Sequence, residues 1–337
     1  MIKHRQARFK WSMLCLFGLL LLSCVLSLNL GAVAIAPKEV FQTVLGNGSA
    51  RQELILFQFR LPAIVLAIMV GAGMAISGSI LQGITRNELA DPGILGINAG
   101  SGLAVVIYIT FFQTAVGGLT LAGTFILPIF AFLGALLTGA LIMVLSWRKG
   151  IHSSRLILVG IGINAGLSAF IIALQLRLEP NDFVKAMVWL SGDLWASQWQ
   201  YVWALLPWFI ILSIFALLKA HTLNIMNLGS QMATALGIRS LRQRVILLII
   251  AVALAGLGVA AGGGIAFLGL IAPHIARRLV GPKHQLLLPV ASLMGAIIVV
   301  LADTIGKNAL SPTEIPAGLV VAIVSVPYFL VLLMKSK

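Results

Sequence analysis

Residues 71–102 read GAGMAISGSILQGITRNELADPGILGINAGSG, and this stretch decides the fold class. Gly71, Ala75, Ser79 and Gly83 recur every four residues. On a helix they form one smooth stripe against which another helix backbone can lie closely. A short polar connection from Thr85 to Ala90 follows. Asp91 and Pro92 then suit the N-cap and first position of a second Gly-rich apolar helix. The stretch predicts two close-packed membrane helices joined by a tight charged turn.

The rest of the chain extends this reading. Of 337 residues, 60% are hydrophobic and 9% charged, and the mean hydropathy is +1.07. Soluble domains carry about 25% charged residues, so the composition is that of an integral membrane protein. Apolar runs near the length of a bilayer crossing, without strict alternation, predict helices rather than a barrel. Ten spans are expected, at 12–35, 60–83, 93–113, 119–146, 155–176, 200–219, 243–261, 265–280, 286–306 and 316–334. The eighth is short, contains Pro273 and follows Gly262-Gly263-Gly264, which predicts a broken or tilted helix. Such a break survives in a bilayer only where protein or a water-filled cavity covers it. The basic start MIKHRQARFKW and the apolar run after it read as a retained first helix. Cys15 and Cys24 fall on different sides of that helix, so neither a disulfide framework nor a cysteine metal site follows.

Charge sets the expected orientation. With the N-terminus inside and ten spans, 17 of the 23 Lys and Arg residues fall in cytoplasmic segments. The outer side keeps Lys38, Arg51, Arg60, Arg177, Lys185 and Lys307. Basic residues accumulate on the cytoplasmic side of membrane proteins, so both termini are expected there. The net charge of +14 thus reports orientation rather than nucleic-acid binding.

Two segments outside the spans stand out. Residues 179–199 place Trp195, Trp199 and Trp203 four apart, as on a helix face at the headgroup level. Within 221–244, Leu228, Met232, Ala235 and Leu236 form an apolar face, and Gly237 is placed to end a short helix. That face either meets another protein or packs back on its own bundle. Gly256, Ala260 and Gly264 repeat the small-residue stripe in the seventh span, as an internal duplication of two halves would.

The motifs exclude several chemistries. His4, His152, His221, His274 and His284 have no carboxylate or Ser partner at motif spacing. GAGMAISG has no preceding strand and is no dinucleotide fingerprint, and no G-x-x-x-x-G-K-[ST] loop occurs. Ion-coupled carriers keep ionisable residues near the midplane, whereas Asp303 and Lys307 sit at a span end. The sequence describes a pathway without its own energy source. No catalytic residue, cofactor or metal site is expected.

Arg60-Leu61-Pro62 followed by GAGMAISGSILQGITRNELADPGILGINAG resembles the signature of bacterial ABC-importer permeases for ferric siderophores, haem and vitamin B12. Gly264–Arg277 (GIAFLGLIAPHIAR) and Leu301-Ala302-Asp303 match further motifs of that family, in order along nearly the whole chain. The resemblance implies an all-α, polytopic bundle of about ten transmembrane helices, like the vitamin B12-importer permease, in the bacterial plasma membrane. It implies P-loop ATPase subunits, an extracytoplasmic substrate-binding (lipo)protein, and a second permease subunit in a homo- or heterodimer, all working in membrane lipid. A ferric siderophore is the expected substrate, with haem or cobalamin as the alternative within the family. A chelate fills the iron's coordination shell, so no metal ligands are needed. A secondary carrier or channel is the alternative from another class.

The resemblance also assigns residues. Gly71, Ala75, Ser79 and Gly83 belong to a span that partly lines the translocation path and packs against its neighbours. Leu228, Gly229, Ala233, Leu236 and Gly237 fall in the helix that docks on the ATPase. Ser230 departs from the family there, which often has an acidic residue. Arg60 and Lys307, helped by Arg51, match positions that meet carboxylates on the binding protein, while Ala63 stands where a further basic residue is common. Snorkelling at a helix end is the competing role for Arg60 and Lys307.

Overall fold

The computed structural model describes residues 2–31, 33–112, 121–148, 152–194, 197–310 and 313–335. The chain forms α1 (Ile2–Asn29), α2 (Pro37–Val44) and α3 (Ala50–Glu53), then a π-helical stretch, Leu54–Arg60, continuous with α4 (Leu61–Thr85). α5 (Ile97–Phe111), α6 (Leu121–Ser146), α7 (Ser153–Gln175), α8 (Pro180–Leu190) and α9 (Trp199–Leu218) follow. The last third comprises α10 (Ala220–Asn227), α11 (Ser230–Ala235), α12 (Ser240–Gly262), α13 (Leu268–Val280), α14 (His284–Ala309) and α15 (Ala317–Lys335). Among the described residues seven helices are long and apolar enough to cross a membrane, and α5 and α15 are shorter apolar helices. The expected span edge at 113 and the start at 119–120 lie outside the described residues, as does Trp195.

α4 is the hub. It is apolar all round, as a helix enclosed by other helices must be, and α14, α12, α13 and α9 surround it. The stripe decides the most extensive of these contacts. A Cβ at Gly71 would run into the Gly295 backbone, and one at Gly295 would lie 2.8 Å from Ala75 Cβ. Further along, a Cβ at Gly83 would lie 2.9 Å from His284 Nε2. The stripe therefore seats the antiparallel α14 along its length. On another side of α4, Ser77 Oγ donates to Ala251 O of α12 at 2.6 Å. The two helices with small-residue stripes, α4 and α12, thus form the buried centre.

α12 and α13 make a re-entrant pair. Gly258 packs on Met74 and Gly262 on Val70, so α12 climbs beside α4 but turns before reaching Leu61. α13 then descends, with Gly269 against Met74 O and Pro92. The eighth expected span is therefore a half-helix starting at Leu268. The apex is covered from above: Gly264 N–H donates to Trp189 O at 3.4 Å, and Gly318 N–H to Gly192 O at 2.8 Å. Segment 179–199 thus includes α8, which buries Ala186 and Trp189 and seats its end on the apex.

Gly71→Ala and Gly295→Ala should each lower stability by about 1–3 kcal/mol, because overpacking forces the two backbones apart. Ile76→Leu, a volume-conserving change in the same buried helix, should shift the melting temperature little. Thermal unfolding of the purified variants checks both.

Candidate functional site

The bundle has two polar ends. At the end where α4 begins, a cleft of about 250 Å³ is lined by Arg60, Asp303, Lys307, Asn308 and Glu314. Two of the expected docking cations therefore share one cleft, and both are already engaged. The Arg60 guanidinium donates to Leu28 O and Val33 O. Leu28 O is among the carbonyls that the end of α1 leaves without a helical partner, so Arg60 closes α1 from outside and favours its negative dipole end. Lys307 Nζ binds Asp303 Oδ2 at 2.7 Å, one turn away on α14. Arg51 stands exposed on α3 and does not line the cleft. Trp199 stacks on Trp203 and donates from Nε1 to Phe57 O at 2.6 Å, tying α9 to the π-helical stretch. Burial pushes the Asp193 carboxyl above its usual range. Lys307 opposes that shift, while Asp303 and Glu314 add to it.

The opposite end carries most of the basic residues. Arg277 Nη1 binds Glu88 Oε1 at 2.5 Å, and its Nη2 donates to Gln82 Oε1 at 3.0 Å. Arg86 ends α4 in the left-handed region (φ 53°) and reaches Gly229. His284 N–H donates to Asn224 Oδ1 at 2.9 Å, and Asn224 Nδ2 to Gln285 Oε1 at 2.6 Å, which fixes α10 on the start of α14.

Segment 221–244 divides in two. α10 packs back on the bundle through the buried Leu223 and Met226. The part around α11 faces out instead: Leu228, Met232 and Leu236 are more than half exposed. Gly237 N–H donates to Thr234 O and Ile238 N–H to Ala233 O, both at 2.9 Å. With Gly237 at φ 80° this is a Schellman end, which glycine adopts without strain. Ala233, expected to touch the ATPase, is fully buried in its own chain and props the loop from within. Its small side chain suits that internal contact. The Ser230 side chain lies outside the described atoms.

Gly71, Ala75, Ser79 and Gly83 are all buried among helices of the same chain. In this arrangement they serve packing. An apolar groove of about 420 Å³ lies elsewhere, between α6, α9 and α12, with Ile129 and Trp208 exposed at its rims.

Sequence reasoning missed the internal partners of Arg60 and the clasp of Arg277 with Glu88 and Gln82. Each joins residues far apart in the chain, which no spacing rule connects.

A buried small-residue hub, a re-entrant helix pair and an exposed apolar loop at the basic end define a polytopic helical membrane protein. The chain belongs to the FecCD transport family, whose model matches residues 19–335. It is 53% identical to the iron(3+)-hydroxamate import system permease protein FhuG of Bacillus subtilis, over 95% of this chain and 96% of that one. The iron-uptake system permease protein FeuC of the same organism is 40% identical, with the same coverage. Among solved structures, a chain described as a metal-chelate type ABC transporter in an inward-facing conformation superposes with a TM-score of 0.81. It is 32% identical, over 97% of this chain and 99% of that one. The protein is a non-catalytic permease subunit of an ABC importer, and ATP hydrolysis resides in a partner subunit.

Asp303 is buried and Lys307 a third exposed, so Lys307→Ala should destabilise the protein by roughly 2–4 kcal/mol by stranding the carboxylate. Adding Asp303→Asn should recover part of that loss. Unfolding of the single and double variants measures the coupling directly.

Proposed function

We infer that this permease carries a ferric siderophore of the hydroxamate class inward across the plasma membrane. The observation that carries the substrate class is the likeness to the hydroxamate permease over nearly the full length of both chains. The basic end is taken as cytoplasmic, supported by the excess of Lys and Arg there. Both termini are then cytoplasmic.

On this reading the loop around α11 docks on the ATPase through the exposed Leu228, Met232 and Leu236, with Gly229 and Gly237 setting its shape. The support is an apolar cluster at a polar end, where no lipid covers it. The binding protein docks at the opposite end, near Arg51, Arg60 and Lys307. Arg60 and Lys307 would keep their internal partners and take the binding protein's carboxylates as additional ones, through N–H groups not already used. Each such exposed pair contributes only about 0.2–1 kcal/mol. The translocation path forms against a second permease subunit.

The test is uptake by the chain reconstituted in liposomes with its ATPase and binding protein. A ferric hydroxamate should stimulate ATP hydrolysis and accumulate inside, while haem and cobalamin should not. Accumulation without ATP would make it a carrier, and preference for haem would move it to another branch. Met232→Arg should insert normally yet fail to co-purify with the ATPase, whereas exposed Asn227→Ala should behave as wild type. Retained coupling in Met232→Arg would remove this loop from the interface.

A further inference from the structure

Two helical segments begin inside the bundle, and one carboxylate serves both. Asp91 is fully buried. Its Oδ1 accepts from Gly93 N–H at 2.8 Å and Ile94 N–H at 3.3 Å, capping the turn Pro92–Leu95 that leads into α5. Its Oδ2 faces the Gly269 and Leu270 N–H groups at the start of α13 but makes no hydrogen bond of good geometry. α13 has no cap of its own, because its N-cap position is Phe267, held at φ 63°. A Cβ at Gly269 would lie 2.7 Å from Pro92 Cδ and 2.9 Å from Asp91 Oδ2, so glycine is what lets the carboxylate approach.

The depth of this site makes it unusual. Gly269 lies against Met74 O, and Gly78 abuts Gly269, which sets Asp91 level with the middle of α4. The groups that address the carboxylate are backbone N–H groups, and no Lys or Arg is among them. Helix starts supply unsatisfied donors and partial positive charge, the combination that binds anions. Transporters point half-helix starts of this kind at anionic substrates. Here the chain supplies the anion itself. Asn98 complements it, donating from Nδ2 to Ile265 O at 2.9 Å in the α12–α13 apex.

We propose that Asp91 permanently fills an anion site built by the Pro92–Leu95 turn and the start of α13. It acts there as a positioning residue that makes α13 and the connection 86–96 one body. The same connection grips the far end of α13 through Glu88 and Arg277. Arg86, beside Gly229, joins that body to the loop around α11. Displacement at the basic end is thereby passed to the middle of the bundle. This transmission rests on the transport reading above, whereas the anion site does not.

The experiment removes the anion and offers another. Full-length Asp91→Ala, purified in lipid nanodiscs, should melt below wild type. Sodium formate should raise its melting temperature, while neutral formamide at matched ionic strength should not. Wild type should respond to neither. An equal response to both additives, or no response to formate, overturns the anion site. Should Asp91→Ala fail to accumulate, Asp91→Asn decides, since it keeps shape and loses charge. It should melt lower and lose uptake by roughly tenfold, as neutral hydrogen bonds replace charge-assisted ones. Wild-type melting and uptake in Asp91→Asn would overturn the proposal. Melting needs neither ATPase nor substrate, so its outcome is separable from that of the transport reading.

Discussion

A helix broken inside a bilayer leaves N–H and C=O groups that no water can satisfy, so every break must be closed by protein. The organisation of this permease follows from that constraint. Within the bundle the chain departs from helix at 91–96 and again at 263–267, and the two breaks face each other. Asp91 accepts from the Gly93 and Ile94 N–H groups and turns its second oxygen toward the donors at the start of α13, and Asn98 donates to a carbonyl of the apex. α8 and Gly318 seal the apex from the other side. Close packing makes this geometry attainable, because Gly78 and Gly269 let α4 and α13 meet backbone to backbone.

The same constraint separates a rigid centre from working ends. α4, α12 and α14 interlock through Gly71, Ser77 and Gly295, where backbones meet too closely to admit a larger side chain at either glycine. Apart from Asp91 and its donors, the charged groups described above gather at the Arg60 cleft and the Arg277 clasp. α10 belongs to the rigid part through Asn224 and His284, and the loop around α11 projects beyond it. That division suits a subunit that receives motion from a separate motor rather than generating it.

Patterns with a local physical cause were legible in the sequence. The four-residue stripe gave the broad contact with α14, and Gly237 gave the end of α11. Asp91 was expected to open the second apolar helix beside the first, but it caps the turn before α5, whose own N-cap is Gly96 and which packs on α6 and α7. Pro273 after three glycines marked a broken span. Contacts that depend on tertiary placement were not legible. The stripe was expected to pack closely on a neighbouring helix, but that its partner is α14 depends on tertiary placement. Ala233 was expected from the resemblance to face a partner, yet one helical turn has both an inner and an outer side and Ala233 lies on the inner one. Arg60 reads as a free cation until the end of α1 is brought beside it.

Hydrogen exchange at the two breaks tests the central claim most directly. With the full chain in lipid nanodiscs, amides of Gly93–Leu95 and Gly264–Leu270 should be protected to a degree comparable with the middle of α4. Rapid exchange at either break, with α4 still protected, would mean that water satisfies these groups and that the mutual capping described here does not hold.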